Sequence, residues 1–226
     1  KRRRVEFAEL VQRSIIEGGI PVDRSQEMAL IPTLGAGVKA VSHELDFSQG
    51  VLIATGEPLD LAIQGEGYFT VIGPGGEWYL TRNGNFYRDH EGNLVTAGGY
   101  RLDMPFELPP EAEKVTISSD GNITAVIDGE RQELGELSLA QVPNPGGLEA
   151  VGNSLYRETE ASGMFLTGRP GTEGLGKLRS GYLEGSNVDL AATMTKVILA
   201  QRAYELNSRT VRTADEMWGL ANNLRG

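Results

Sequence analysis

One uninterrupted stretch, residues 187–218, reads NVDLAATMTKVILAQRAYELNSRTVRTADEMW. It contains neither Gly nor Pro over 32 consecutive residues, whereas all ten Pro of the 226-residue chain precede residue 171 and 28 of its 30 Gly precede Ser186. Because Gly and Pro interrupt helices, this stretch predicts one long helix. Ser186 and Asp189 have the spacing at which a hydroxyl and a carboxylate satisfy the first free N–H groups of a helix. The predicted helix, residues 188–224, would be about 55 Å long.

The residues of this helix that form one stripe follow each other at alternating spacings of four and three, which is the pattern of a coiled-coil seam. The seam positions are Leu190, Met194, Val197, Gln201, Tyr204, Ser208, Val211, Asp215 and Trp218, with Ile198, Ala214, Met217 and Ala221 beside them. Glu205 and Arg209 have the spacing of a favourable ion pair along the helix. A projecting helix with a half-polar seam needs partner helices to be stable. The alternative is a helix that breaks in the middle and folds back on its own domain.

The preceding part of the chain predicts short β-strands, because runs rich in β-branched and aromatic residues are separated by turns that contain Gly and Pro. The candidate strands are residues 51–54, 59–63, 68–72 and 78–81. Runs at 115–117, 123–127 and 134–142 are joined by Asp120-Gly121 and Asp128-Gly129, and this pattern predicts a three-stranded meander. The Gly-rich residues 143–181 predict loops and edge strands. The fold class is therefore mostly β with a long C-terminal α-helix.

The N-terminal segment leaves two alternatives open. In residues 5–17 the apolar side chains fall on all sides of a would-be helix, so this segment is either a helix or a strand that is buried against another element. The chain begins with Lys, and its basic opening is followed by Glu6 and Glu9. Two carboxylates inside the apolar stretch are incompatible with a secretory signal peptide. We therefore expect that an N-terminal piece has been removed.

Composition excludes several classes of function. The chain carries 21 Lys and Arg against 31 Asp and Glu, a formal net charge of −10, which argues against a nucleic-acid partner. No run approaches the roughly 18 apolar residues of a membrane span, so no membrane insertion is expected. The absence of Cys removes disulfides, thiolate metal sites and Cys nucleophiles.

A search for catalytic or cofactor motifs identifies no site. His43 and His90 lack metal-ligand spacing and fit surface or turn histidines. Residues 171–178, GTEGLGKL, match the core of a phosphate-binding loop, but Leu178 stands where Ser or Thr should hold Mg²⁺ and Glu173 would repel phosphate. Glu107, Glu111 and Glu113 cluster near three Pro residues and fit a solvated acidic loop. We therefore predict no catalytic residues, no metal and no cofactor.

Three blocks of sequence resemble the bacterial flagellar rod and hook protein family. Residues 60–69, DLAIQGEGYF, are similar to a D-x-A-I-x-G-x-G-F-F segment of that family. Residues 81–86, TRNGNF, with 92–100, GNLVTAGGY, form the second block, and 181–189, GYLEGSNVD, continuing through 201–208, QRAYELNS, form the third. The order and the spacing of all three match the family. Residues 1–20 and the segments 35–38 and 48–50 also resemble its distal-rod members, and no room exists for the large extra domain of the hook protein.

The resemblance implies a structural subunit rather than an enzyme. It implies a self-assembling helical homopolymer, the hollow drive shaft of the flagellar basal body, which crosses the periplasm and cell wall and is exported without a cleaved secretory signal. The implied partners are other copies of the chain, the proximal rod proteins, the hook protein and the surrounding ring or bushing proteins. A proximal rod subunit and, in a different class, a cell-wall-acting enzyme on a β scaffold remain alternatives.

The resemblance also implies three regions. Residues 1–34 would be the N-terminal stretch typical of distal-rod members, residues 35–184 the β-rich outer domain, and residues 185–226 the helix of an inner coiled-coil layer. The family's own N-terminal helix, the expected partner of residues 188–224, is absent from this sequence. The predicted subunit-interface residues are Leu190, Met194, Val197, Ile198, Gln201, Tyr204, Val211, Met217 and Trp218.

Overall fold

The computed structural model describes residues 1–9, 13–14, 33–34, 38–112 and 114–223. Twenty strands, one short 3₁₀ turn and one α-helix follow each other in the described residues. The chain forms two compact units, Lys1–Ser186 and Asn187–Gly226. The first unit holds all the strands and the second holds the helix, α1, which spans Leu190–Asn223. The predicted class, mostly β with one long C-terminal helix, is confirmed.

The first ten strands lie before residue 97. Their bounds are β1 Arg2–Glu9, β2 Arg13–Ser14, β3 Thr33–Leu34, β4 Val38–Asp46, β5 Leu52–Ala54, β6 Leu61–Gln64, β7 Phe69–Ile72, β8 Trp78–Thr81, β9 Phe86–Arg88 and β10 Leu94–Thr96. The question of helix or strand at the N-terminus is resolved in part, because β1 pairs antiparallel with β4. Residues 10–12 and 15–17 lie outside the described residues.

The other ten strands complete the β unit. Their bounds are β11 Arg101–Leu102, β12 Lys114–Ile117, β13 Asn122–Ile127, β14 Glu130–Glu136, β15 Leu139–Gln141, β16 Glu149–Gly152, β17 Leu155–Arg157, β18 Leu166–Gly168, β19 Lys177–Ser180 and β20 Tyr182–Glu184. The 3₁₀ turn is Pro145–Gly147. Every strand pair among the described residues is antiparallel, and the largest sheet has the order β16-β17-β8-β7-β11-β10-β9.

The predicted meander forms, but its third strand is shorter than expected. Strands β12, β13 and β14 make a three-stranded sheet, and Asp128 and Gly129 both have positive φ, 52° and 82°, as a tight hairpin turn requires. The prediction of one run over 134–142 was wrong. Strand β14 ends at Glu136, and β15 pairs instead with β18. Ala140 exchanges backbone hydrogen bonds with Tyr68, which draws this segment away from the meander.

Strand β7 separates two hydrophobic clusters, because its side chains alternate between the faces of the sheet. Phe69 and Val71 lie in the larger cluster, whereas Tyr68 lies in the smaller one with Leu80 and Tyr156. The larger cluster is completed by Leu61, Ile63, Phe86, Leu94, Leu102, Leu108, Ile117, Ile123, Leu137, Leu139, Leu155, Leu175 and Leu178. The β unit therefore has apolar side chains buried on both faces of its main sheet.

Candidate assembly surface

The helix α1 begins at Leu190, directly after its capping residue, Asp189. The Asp189 carboxylate accepts hydrogen bonds from the backbone N–H groups of Ala191 and Ala192, at 2.9 and 3.2 Å. The predicted role of the Asp189 carboxylate is confirmed, whereas the predicted first helical residue, 188, lies two residues before the observed one. Either side chain can cap a helix, but only Asp189 directly precedes the first helical residue.

Replacing Asp189 by alanine will fray the first turn of α1. Loss of a side-chain cap costs about 1 kcal/mol, so hydrogen exchange at the Ala191 and Ala192 amides should become roughly fivefold faster. Mass spectrometry of the peptide that contains this turn measures the change. Asp215→Ala, the same substitution deep in the helix, should leave exchange in the first turn unaltered; equal effects of both variants would contradict the assigned cap.

The helix is continuous for 34 residues, about 51 Å at 1.5 Å per residue. The alternative of a helix broken in its middle is therefore wrong. Within the described part of the helix, Glu205 and Arg209 do not form the ion pair that their spacing favours. No helix in the described part of the chain combines the length and the apolar composition that a membrane crossing requires.

All nine predicted interface residues lie in α1 and are exposed. Tyr204 and Trp218 are 76% and 77% exposed, which is unusual for large aromatic side chains. Seven of the nine share one line along the helix: Leu190, Met194, Val197, Gln201, Tyr204, Val211 and Trp218. We call this line the seam. The helix thus presents a long row of apolar side chains that nothing in its own unit covers.

The other two predicted residues lie off the seam. At about 100° per residue, Ile198 lies on the flank next to the seam and Met217 lies much farther round the helix. Met217 falls in line with Leu206 and Leu220, which are also exposed. The sequence analysis counted Met217 among the residues beside the seam. Its helical angle, about 120° from Val211, assigns it to a different face.

A buried charge cluster in the β unit is centred on Glu184, the last residue of β20. The Glu184 carboxylate is only 4% exposed and accepts hydrogen bonds from the Gly50 N–H at 3.0 Å, from Arg82 Nε at 2.8 Å and from Lys1 Nζ. Arg82 also donates to the carbonyl oxygens of Gly65 and Gly67. One carboxylate therefore joins segments of the chain that are far apart in sequence.

The pKa values of this cluster follow from burial and partners. Burial alone would raise the pKa of Glu184, but the hydrogen bonds from Gly50 and Lys1 and the charge of Arg82 lower it below its ordinary value of 4.5. Burial lowers the pKa of Lys1 in spite of Glu184. Sequence analysis missed this cluster, since nothing in the sequence distinguishes Glu184 or Arg82 from exposed charged residues.

We expect Glu184→Gln to lower the free energy of unfolding of the β unit by about 3 kcal/mol at pH 7, because it leaves the buried Arg82 without the carboxylate that it pairs with. Since the folded-state pKa of Glu184 is depressed, its contribution is present above about pH 4.5 and is lost as the pH falls through the folded pKa. Denaturant unfolding at pH 7 and pH 4 measures this contribution. The free energy of unfolding should change less between the two pH values in Glu184→Gln than in the unchanged chain.

The exposed ion pair between Glu149 and Arg157, with Nη2–Oε2 at 2.7 Å, offers a matched control. Its side chains are more than half exposed, so Glu149→Gln should cost less than about 1 kcal/mol. An equal decrease in the free energy of unfolding in Glu184→Gln and Glu149→Gln would contradict the prediction, because the buried cluster would then contribute no more to stability than an exposed ion pair.

The segments and histidines that were considered as phosphate-binding or metal-binding candidates lie in turns and strands of the structure. Residues 171–176 form a turn closed by the Gly171 N–H and the Gly176 carbonyl, and the chain continues into β19 rather than into the helix that a phosphate loop needs. His90 is 89% exposed. His43 pairs with Val5 in strand β4 rather than lying in a turn. Among the described residues no three His, Asp or Glu side chains are grouped to hold a metal ion, and Glu113 lies outside them.

Comparisons with known proteins agree along the whole chain. Residues 62–125 match the family described as flagellar hook protein FlgE/F/G D1 domain, and residues 179–224 match the one described as flagellar basal body rod FlgEFG protein C-terminal. The chain is 41% identical to the flagellar basal-body rod protein FlgG of Caulobacter vibrioides and 37% identical to that of Bacillus subtilis, each time over 100% of this chain and 87% of the relative. It is 39% identical to the FlgG protein of Borreliella burgdorferi, over 100% and 86%.

Proposed function

Since this chain belongs to the FlgE/F/G family of flagellar hook and basal-body rod proteins, we propose that it is a structural subunit of the distal rod in the flagellar basal body. Copies of the chain assemble into a hollow helical shaft that transmits torque from the motor to the hook. The subunit acts through its contacts with neighbours rather than through a catalytic site, and it has no enzymatic activity.

The exposed seam of α1 is the observation that carries this proposal. A row of apolar side chains about 42 Å long, from Leu190 to Trp218, has no partner within its own unit. Helices in proteins owe most of their stability to the packing of an apolar face, so a helix of this kind requires other helices. A filament supplies them repeatedly when one surface of a subunit meets a different surface of the next.

The two units suit two different roles in such a shaft. The helix, with residues 185–226, belongs to the inner coiled-coil layer, and residues 35–184 form the outer β domain, preceded by the distal-rod stretch 1–34. The loops between 143 and 176 face neighbouring subunits or the surrounding ring. The partners are other copies of the chain, the proximal rod proteins, the hook protein and the ring or bushing proteins.

Rigidity is the property that a shaft needs. The β unit supplies it through a core buried on both faces of its main sheet and through the Glu184 cluster. The net charge of −10 keeps the surface of the shaft from adhering to a bushing.

Electron microscopy and sedimentation test the proposal with the chain joined to an N-terminal helix of the family, the partner that the resemblance implies for residues 188–224. We expect rods with a central channel, in equilibrium with subunits. A chain that stays monomeric or forms a closed dimer at every concentration would contradict it. A parallel assay for release of cell-wall fragments, with Glu107→Gln and Glu111→Gln variants, separates the enzymatic alternative, since activity lost in either variant would favour that class.

A further inference from the structure

The segment between β17 and β18 presents apolar side chains on the surface of the β unit. Met164 is 79% exposed and Leu166 is 69% exposed, and Trp78, the first residue of β8, is 46% exposed. The ring of Phe165 lies 6.4 Å from that of Trp78, which joins these side chains into one patch. We call Trp78 and residues 164–166 the ridge. Exposed apolar side chains that adjoin each other in this way mark interaction surfaces.

Hydrogen bonds fix the shape of the loop that leads to the ridge. The Thr159 hydroxyl donates to the Gly147 carbonyl at 2.7 Å, and the Asn144 amide donates to the Ala161 carbonyl at 2.9 Å. The Ser162 hydroxyl is buried and donates to the Thr159 carbonyl at 2.9 Å. The ridge therefore belongs to an ordered loop, and a partner that covers it loses little affinity to ordering of the chain.

Carboxylates border the ridge. Glu158 accepts a hydrogen bond from the Phe165 N–H at 3.5 Å, and Glu160 is exposed two residues farther along the chain. The only basic residue of segment 143–168 is Arg157, and a carboxylate of β16 already pairs with it at 2.7 Å. Since the ridge is apolar at its centre and negative at its border, a complementary partner is apolar and positive.

A groove of that character is present on the β unit itself. It has a volume of about 400 Å³ and is formed by β12 together with β5, β20 and the turns next to them. Its apolar lining consists of Ala54, Pro58, Val115 and Tyr182. Lys114 also lines it, and the Arg179 guanidinium lies 5.7 Å from the centre of the Tyr182 ring. These two cations outnumber the one carboxylate of the lining segments, Glu57.

The ridge and the groove lie on opposite sides of the main sheet. Phe165 packs against the smaller hydrophobic cluster, whereas Val115 packs against the larger one, and the two clusters cover the two faces of β7. A contact between the ridge of one copy and the groove of the next joins two different surfaces. Each end of such an array keeps a free ridge or a free groove, so the array can grow without closing.

We infer that the ridge is an interface that binds the groove of another copy of the chain. Met164 enters the groove beside the Tyr182 ring, a contact that sulfur and aromatic side chains favour, and Glu160 of one copy pairs with Lys114 of the next. This inference rests on the proposed function and adds which surface of the neighbouring β unit the ridge contacts.

Exchanging two charges tests the contact in the chain that carries the family's N-terminal helix. We expect Glu160→Lys and Lys114→Glu each to raise the concentration at which rods appear by at least about tenfold, because like charges then meet. The double variant should form rods within about threefold of the unchanged concentration. Glu91→Lys, in the exposed turn between β9 and β10, is the matched control and should form rods normally. A double variant that is no better than the weaker single variant would overturn the inference.

The absence of native Cys permits a second measurement. We expect Met164→Cys to react with a maleimide at least about tenfold more slowly in rods than in free subunits, whereas the rate for Glu91→Cys should change less than about threefold. Normal rods in which Met164→Cys stays as reactive as in subunits would overturn the inference and leave the proposed function standing. Failure of the unchanged chain to form rods would overturn both.

Crosslinking then identifies the surface that the ridge contacts. Rods assembled from a mixture of Met164→Cys and Thr116→Cys copies should give mixed dimers with a short bis-maleimide, in excess over rods of either variant alone, because Thr116 lines the groove. Crosslinks only between two copies that carry Met164→Cys would instead indicate a symmetric contact between ridges and overturn the inference.

Discussion

Replacing Val211 by aspartate will abolish rod formation while leaving the free subunit as stable as before. Val211 lies in the middle of the seam and is 61% exposed in the subunit, so the carboxylate is solvated there at little cost. In a rod it would be buried against a neighbouring helix, where an unpaired charge is expensive. Repulsion from Asp215, one turn farther along the same row, is weak in the solvated subunit and stronger in the rod, where water no longer screens the two carboxylates.

The expected size of this effect follows from the lost burial. A buried Val contributes about 1.5–3 kcal/mol, and burial of the new charge costs more, so each contact weakens by at least about 3 kcal/mol. The concentration at which rods appear should then rise by more than about 100-fold. Sedimentation at increasing protein concentration, with electron microscopy of the pellet, measures the concentration at which rods appear.

Thr195→Asp gives the matched control, because it introduces the same carboxylate on the charged flank of α1, which holds Arg202 and Arg209. We expect rods to form from this variant at nearly the unchanged concentration. Circular dichroism of both variants verifies that the subunit is still folded. Normal rods from Val211→Asp would refute the assignment of the seam as an assembly surface.

The sequence predicted those helices, strands and turns whose formation depends on the residue types within the element itself. The absence of Gly and Pro across residues 187–218 was sufficient to predict α1, and the Asp128-Gly129 pair predicted a hairpin, because positive φ at both positions favours these residue types. Strand Trp78–Thr81 was predicted with its correct bounds. In each case the determinant lies within a few residues of the element it specifies.

Features that depend on distant segments escaped prediction. The end of β14 at Glu136 depends on Ala140 pairing with Tyr68, about 70 residues earlier. The Glu184 cluster likewise requires Arg82 and Gly50 to converge on one carboxylate. The sequence named both Ser186 and Asp189 as groups that satisfy the first N–H groups of the helix, and only the position of the first helical residue, Leu190, identifies Asp189 as the residue at the cap.

Gly84→Ala should have the largest effect on the β unit itself. A Cβ atom at this position would lie 1.7 Å from the carbonyl oxygen of Leu61 and 2.6 Å from its carbonyl carbon. Leu61 is fully buried, and its N–H donates to the Gly84 carbonyl at 2.9 Å, so neither backbone can move without breaking this contact. We expect the free energy of unfolding to fall by about 3 kcal/mol or more.

Such a loss is a large part of the 5–15 kcal/mol that typically stabilises a domain, and the midpoint of thermal unfolding should fall by at least about 6–12 °C. Gly219→Ala provides the contrast, because a Cβ there would meet nothing within 4 Å and alanine favours a helix by about 1 kcal/mol. Calorimetry should therefore show an unchanged β-unit transition in Gly219→Ala. If Gly84→Ala also left that transition unchanged, residues 61 and 84 could not be in the close contact that closes the core at this point.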